Sequence, residues 1–200
     1  PHLGPLLEAA PYLMEQARAH ASWLVQAIST DIDASFAALL AEVAEVGQVG
    51  TQDEVAQAMR RAKGRTALIA AVAETGKVWT TARATEALSD LADACLEAAL
   101  DFLMRQAAEK GLLAIPAEEA RAANSGLALF ALGKHGGREL NYSSDIDIVA
   151  FYDPQRGVLA DPSEGTKVYS RMVQKLVGLM EDQQMGGYVF RTDLRLRPDP

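Results

Sequence analysis

The sequence predicts an α+β protein, in which a helical amino-terminal region precedes a smaller region built around a short mixed sheet. Apolar residues recur at helical spacing over residues 5–46 and again after Thr51. The composition shifts near Ile115-Pro116, and the apolar runs beyond that point are short and bounded by glycine, as strands often are. We therefore expect a helical region over residues 1–115 and a sheet-containing region over residues 116–200.

Four helices are expected in the first region. Residues 5–46 carry Leu, Val and Ala at helical intervals and predict two helices, with a break and a cap at Ser29-Thr30-Asp31. The pattern Thr51-Gln52-Asp53-Glu54 matches the capping box, in which the Thr and Glu side chains each satisfy an unpaired amide at the helix start. A third helix should run from this box to Thr75-Gly76, and a fourth from Thr80-Thr81 to Lys110-Gly111.

The second region is expected to contain three strands and one helix. The apolar run at 126–132 predicts a buried strand, and a glycine-rich turn follows at 133–137. The next strand should cover 145–151. Helical spacing over 163–184 predicts a helix packed on the sheet, and the alternation of polar and apolar residues over 190–197 predicts the last strand.

Composition argues against several classes of function. A formal net charge of −8 and a pI near 4.9 argue against binding to nucleic-acid backbone, which usually needs a basic face. No apolar run approaches the roughly 20 residues of a membrane span, and the start lacks a signal-peptide pattern, so we expect a cytoplasmic protein. Cys95 is the single cysteine and is expected to be a small buried residue. Because the chain starts at Pro1 and stops directly after a promising motif, we expect it to be a segment of a longer protein.

A pair of carboxylates supplies the first chemical signal. Asp145 and Asp147 alternate along the predicted strand and so share one face, while Ile146 and Ile148 point to the core. Two carboxylates about 4 Å apart repel by about 4 kcal/mol at an effective dielectric constant of about 20, so the pair implies a cation, a shared proton or full solvation. A bound Mg²⁺ is the simplest of these. Asp193, on the last predicted strand, offers a third carboxylate.

Possible donors to phosphate oxygens flank these carboxylates. Glycines in the turn allow a tight bend that presents backbone amides, a lysine adds positive charge, serine hydroxyls lie beside the carboxylates, and arginines alternate along the last strand. The candidates are Gly133, Lys134, Gly136, Gly137, Ser143, Ser144, Arg191, Arg195 and Arg197. Phosphoryl and nucleotidyl transfer need charge neutralisation and alignment by groups of this kind.

Each of these features alone has an ordinary structural explanation. Most glycine-rich turns bind nothing, Asp-x-Asp is common at solvated strand ends, and an arginine stripe is usually a solvent-exposed face. His135 is expected to be a turn residue or an imidazole at the edge of the core, not a general base. The conjunction of strand, glycine turn, Asp-x-Asp strand, helix and a further Asp-bearing strand favours a functional site. The sequence contains no Walker-type loop, dinucleotide-binding glycine pattern or zinc-ligand cluster.

The glycine turn and the strand after it resemble the polymerase-β-like nucleotidyltransferases, although Lys134 stands where those proteins usually have glycine or serine. Residues 133–147 read Gly-Lys-x-Gly-Gly-x-Glu-Leu-x-x-x-Ser-Asp-x-Asp, and Asp-x-Arg-Leu-Arg-Pro begins at Asp193. Both patterns are similar to those of the bifunctional glutamine synthetase adenylyltransferase/adenylyl-removing enzymes.

Two stretches, 139–145 and 190–193, resemble the amino-terminal, adenylyl-removing half of that family more than the other half. The resemblance extends over residues 50–200. It implies a partial polymerase-β-like core, truncated at its carboxyl end.

This resemblance also implies a reaction. Phosphate would attack the adenylyl group on a tyrosine of glutamine synthetase and release ADP, which would regulate nitrogen assimilation. The residues that would hold Mg²⁺ in a two-ion catalytic site are Asp145, Asp147 and Asp193. The residues that would face the phosphates are Gly133, Lys134 and Ser144. Implied partners are glutamine synthetase, nucleotide, phosphate and a PII-type nitrogen-signalling protein, with no nucleic acid and no membrane.

Three alternatives stay open. The other half of the family would use a similar fold to attach AMP from ATP. A non-catalytic member would bind nucleotide or a partner helix and regulate, chiefly through its helical region. A small-molecule nucleotidyltransferase, such as one that modifies an antibiotic, fits less well with the Arg195-Leu196-Arg197-Pro198 ending and the long helical lead-in.

Overall fold

The computed structural model describes residues 3–153, 155, 158–183 and 187–196. The helices are α1 (Leu3–Ala9), α2 (Pro11–Ala19), α3 (Ala21–Ser29), α4 (Ile32–Val49), α5 (Gln52–Thr75), α6 (Thr81–Glu109), α7 (Gly133–Gly136) and α8 (Gly165–Glu181). The strands are β1 (Leu127–Leu132), β2 (Ile146–Tyr152) and β3 (Thr192–Leu196). The expected α+β class, a helical region followed by a small mixed sheet, is confirmed. Among the helices in the described ranges, none is both long and apolar enough to span a bilayer.

The amino-terminal stretch contains more helices than expected. We expected two over residues 5–46, and the structure has four, so that expectation is wrong. Pro11 has no amide hydrogen to continue the hydrogen bonds of α1, and it is the first residue of α2 instead. The expected break at Ser29-Thr30-Asp31 is confirmed, because the Asp31 carboxylate accepts a hydrogen bond from the amide of Ala34 at 3.1 Å and caps α4.

Side-chain caps start the two longest helices. The Glu54 carboxylate accepts from the Thr51 amide at 2.8 Å and the Thr51 hydroxyl accepts from the Glu54 amide at 3.4 Å, which confirms the capping box. Thr80 caps α6 through its hydroxyl. Helices α4 and α6 cross closely, since a Cβ on Gly47 would lie 2.6 Å from the Cα of Ala98. These helices form a closely packed support for the sheet.

The sheet has the order β1-β2-β3, with β1 antiparallel and β3 parallel to β2. Side chains alternate between its faces, so Ile146 and Ile148 are buried with residues of α6 and α8. Strand β1 was expected to be buried, which is wrong for one of its faces. Phe130 and Leu132 are exposed there, because no layer covers that face in the part of the chain that the structure describes.

One cluster of buried side chains joins the helical region to the sheet. Its members come from α4, α5, α6, β2 and α8 and include Val43, Met59, Leu91, Ile148 and Leu176. Cys95 is buried in the same cluster, as expected. A domain boundary between residues 115 and 116 stays a prediction.

Candidate metal and phosphate site

Two carboxylates from distant segments meet at one end of the sheet. In the parallel pairing of β2 with β3, Asp147 lies opposite Asp193, so both side chains leave the same face of the sheet. Together with Leu132, Gly133 and Ile148 they line a cleft of about 230 Å³. The structure therefore brings the second Asp of the Asp-x-Asp motif together with the Asp of the last strand.

Gly133 has a backbone conformation and a position that favour glycine. Its φ is +54°, in the left-handed region. A Cβ at this position would lie 2.7 Å from Oδ2 of Asp147, and a Cβ on Gly136 would lie 2.5 Å from the carbonyl oxygen of Ala131. The Gly137 amide donates to the Gly133 carbonyl at 3.0 Å, within the turn itself. These close approaches hold the turn against the Asp147 carboxylate.

Asp145 lies one residue before β2, and an arginine holds its carboxylate. Arg191 Nε is 2.6 Å from Asp145 Oδ1, and Arg191 Nη2 donates to the Ser143 carbonyl at 3.3 Å. Within the described residues, no group of three or more His, Cys, Asp or Glu side chains converges as a metal site. Two of the three predicted carboxylates are thus together, and the third is paired with Arg191. The predicted phosphate contacts of Arg195 and Arg197 stay predictions, because the Arg195 side chain and all of Arg197 lie outside the described residues.

The serines before Asp145 belong to a turn that Asn141 organises. The Asn141 side-chain oxygen accepts from the Ser143 amide at 3.1 Å, and the Ser144 hydroxyl accepts from the Asn141 amide at 3.1 Å. A hydroxyl that accepts a hydrogen bond can still donate its own hydrogen, so Ser144 keeps a donor for a phosphate oxygen. Ser143 and Lys134 are exposed.

Sequence comparisons identify the family. The family model described as glutamate-ammonia ligase adenylyltransferase matches residues 1–200. The chain belongs to this adenylyltransferase family. The bifunctional glutamine synthetase adenylyltransferase/adenylyl-removing enzymes of Xanthobacter autotrophicus and Bradyrhizobium diazoefficiens are each 41% identical to it over 98% of its length, and that of Rhodopseudomonas palustris is 40% identical over 100%. The chain spans 20% of the length of the first two relatives and 21% of the third.

Sequence reasoning missed how α6 holds the glycine turn of this adenylyltransferase-family chain. His135 is 2% exposed, and its Nε2 lies 2.7 Å from Oδ1 of Asp93. Arg138 forms ion pairs with Asp90 and, at 3.4 Å, with Asp93. The two aspartates are three residues apart on a helix and so lie on one face, which is a signal that could have identified them. The expectation that His135 is an imidazole of the turn or core edge agrees with its burial.

A lysine of α5 contacts the segment that leads into β3. The Lys63 ammonium lies 4.2 Å from the ring centroid of Tyr188 and 5.1 Å from that of Phe190, and it donates to the Tyr188 carbonyl at 3.4 Å. Burial lowers the pKa of Lys63 to about 8, and the positive charge of Arg191 acts in the same direction. A single lysine among helix formers offered no sequence signal for this contact.

Proposed function

We propose that this chain carries the site that removes AMP from the adenylylated tyrosine of glutamine synthetase, by Mg²⁺-dependent phosphorolysis that yields ADP. The observation that carries this proposal is the placement of Asp147 opposite Asp193, beside the glycine turn. The names of the relatives contain both an adenylyltransferase and an adenylyl-removing activity, which supports glutamine synthetase as the substrate. Removal of AMP from that enzyme would regulate nitrogen assimilation.

The residues present fit a magnesium ion. Magnesium in nucleotide sites is usually held by one or two carboxylates, with water and substrate phosphate as the other ligands. Asp147 and Asp193 supply two such carboxylates on adjacent strands. Gly133 has no side chain that would crowd Oδ2 of Asp147, so a ligand has room to approach this oxygen. We infer that Asp147 and Asp193 hold the ion.

The proposed reaction brings two anions together, so positive charge and hydrogen-bond donors are needed around them. We assign the backbone at Gly133, the Lys134 ammonium and the Ser144 hydroxyl to the phosphate oxygens. An oxygen of hydrogenphosphate forms a bond to the adenylyl phosphorus while the bond from phosphorus to the tyrosine oxygen breaks. The hydrogen of hydrogenphosphate passes to the phenolate, so ADP and free tyrosine are the products. Bound magnesium would stabilise the charge that develops on the phenolate oxygen.

Arg191 is the described arginine best placed to bind phosphate. It already binds a carboxylate, since its Nε is 2.6 Å from Asp145 Oδ1. Guanidinium groups bind phosphate by paired hydrogen bonds, so an incoming phosphate would compete with Asp145 for Arg191. This exchange would release Asp145 as a third carboxylate for the metal site.

The removing activity, as opposed to the attaching one, rests on the resemblance of residues 139–145 and 190–193 to the amino-terminal half of the family. Attachment of AMP from ATP is the second candidate, because the names of the relatives carry both activities. A PII-type signalling partner is also proposed from the family resemblance.

Product formation with the full-length polypeptide that carries this sequence tests the proposal. Adenylylated glutamine synthetase with Mg²⁺ and phosphate should yield ADP, and Asp147→Asn should abolish the yield. Asp53→Asn, which changes an exposed acid in the first turn of α5, is the matched control and should keep full turnover. The second candidate would be favoured if the protein attached AMP from ATP to unmodified glutamine synthetase but released no ADP from the adenylylated form. Full turnover by Asp147→Asn would contradict both.

A further inference from the structure

A second cavity, of about 450 Å³, lies between the end of α6 and the first half of α8. Cavities of about 300–1,000 Å³ are typical of sites for small molecules. Its apolar lining residues include Leu103, Ala107, Leu112, Val168 and Met172. It shares no lining residue with the cleft that contains Asp147 and Asp193. The cavity is therefore a separate candidate site.

Three basic side chains at the rim of this cavity have no acidic partner among the residues that the structure describes. Lys110, Arg171 and Lys175 line the cavity, and no ion pair joins any of them to another of the described residues. The positive charge of Lys110 lies close enough to Lys175 to act on it electrostatically. Burial, followed by the charges of Lys110 and Arg171, lowers the pKa of Lys175. Such a group of like charges, in a chain of net charge −8, would be stabilised by an anion.

The carboxylates at the rim are already engaged near their own positions. The Asp161 carboxylate accepts from the Ser163 amide at 2.9 Å and from the Ser163 hydroxyl at 2.7 Å. The Glu164 carboxylate lies 2.7 Å from the Lys167 ammonium. Lys167 is thereby compensated, and among the described residues no carboxylate forms an ion pair with the other three basic side chains.

From this juxtaposition of basic rim and apolar lining, we propose that the cavity binds a small amphipathic anion. Its carboxylate or phosphate group meets Lys110, Arg171 and Lys175, and its apolar body lies against Leu112 and Met172. This goes beyond the proposed reaction, because the residues that line the cavity take no part in it.

Hexyl phosphate is a suitable probe, because it joins a phosphate to a short apolar body. Acetylation of individual lysines, followed by mass spectrometry, reports which ammonium groups the probe covers. Hexyl phosphate should slow the acetylation of Lys110 and Lys175 at least threefold while Lys77 reacts at an unchanged rate. Hexanoate tests a carboxylate in place of the phosphate, inorganic phosphate tests the anion without the apolar body, and hexylammonium tests the apolar body with the opposite charge.

Two variants separate charge from apolar contact. Lys110→Gln combined with Lys175→Gln should weaken hexyl phosphate binding at least tenfold. Lys77→Gln, in the turn that precedes α6 and so far from the cavity at the end of that helix, should leave binding unchanged. Ala160→Phe fills the cavity and keeps its charges, so it should abolish the advantage of hexyl phosphate over inorganic phosphate.

The proposal predicts that hexyl phosphate or hexanoate protects both lysines better than inorganic phosphate and that hexylammonium gives no protection. The proposal would be overturned if neither hexyl phosphate nor hexanoate protected the two lysines better than inorganic phosphate does. Unchanged affinity of the double lysine variant for hexyl phosphate would also overturn the proposal. Thermal unfolding verifies that this variant is folded.

Discussion

Substitution of Gly133 by alanine tests whether the glycine turn keeps the Asp147 carboxylate in place. Gly111 provides a matched control, because φ is +54° at Gly133 and +69° at Gly111. The surroundings of the two positions differ. A Cβ at Gly133 would meet Asp147 Oδ2 at 2.7 Å, whereas nothing lies within 4 Å of a Cβ at Gly111. The difference between Gly133→Ala and Gly111→Ala therefore isolates the contact with Asp147.

Both variants should lose stability through the same backbone strain. An alanine in the left-handed region costs roughly 1–2 kcal/mol. For a chain of this length each kcal/mol lowers Tm by about 2–4 °C, so this backbone strain alone should lower the Tm of each variant by roughly 2–8 °C. In Gly133→Ala the new Cβ overlaps the carboxylate of Asp147, which is the movable end of that side chain. Rotation of the Asp147 side chain relieves this overlap and costs about 0.5–1.5 kcal/mol more. That rotation moves the carboxylate away from Asp193.

Thermal unfolding and manganese titration together measure both effects. The Mn²⁺ affinity of Gly133→Ala should fall by about tenfold, the equivalent of roughly 1.4 kcal/mol, while Gly111→Ala binds Mn²⁺ like the parent. Equal Mn²⁺ affinity in the two variants would refute the role assigned to the turn.

Three further changes act on contacts around the site and in the helical region. Arg191→Gln frees Asp145 and should tighten Mn²⁺ binding up to about fivefold, since an exposed ion pair is worth at most ~1 kcal/mol; calorimetry that shows no gain would contradict this. Asp93→Ala leaves the buried His135 Nε2 without its partner and should lower the free energy of unfolding by about 1–3 kcal/mol, and an unchanged urea midpoint would argue against it. Burial, with the charges of Arg65 and Arg61, lowers the pKa of His20 below 6.5 in the folded chain. As the pH falls, the unfolded chain therefore binds a proton at His20 before the folded chain does, and the free energy of unfolding decreases below pH 6.5. Urea unfolding at pH 5 and pH 7 should show a smaller loss for His20→Gln, and an equal loss would exclude His20 as the cause.

The sequence predicted best the features that depend on local interactions. The capping box at Thr51 and Glu54 needs only residues of one helix turn, and the strand at 126–132 is bounded by glycines that mark its ends. The division of the first helices was harder to predict, because the apolar spacing continues across Pro11 and His20 while the backbone does not.

Features that depend on distant residues could be predicted only in part. The Asp-x-Asp spacing implied that Asp145 and Asp147 share a strand face, but β2 begins at Ile146 and Arg191 holds Asp145 outside the strand. The pairing of Asp147 with Asp193 depends on the register between β2 and β3, which no local pattern specifies.

The central claim is that Asp147 and Asp193 together hold a divalent cation. Manganese titration of the chain, followed by electron paramagnetic resonance, measures this directly with the parent, Asp147→Asn and Asp193→Asn. We predict that each substitution weakens Mn²⁺ binding by about tenfold or more, because each removes one of two carboxylate ligands. Parent-like Mn²⁺ affinity in either variant, with an unchanged Tm, would contradict the claim.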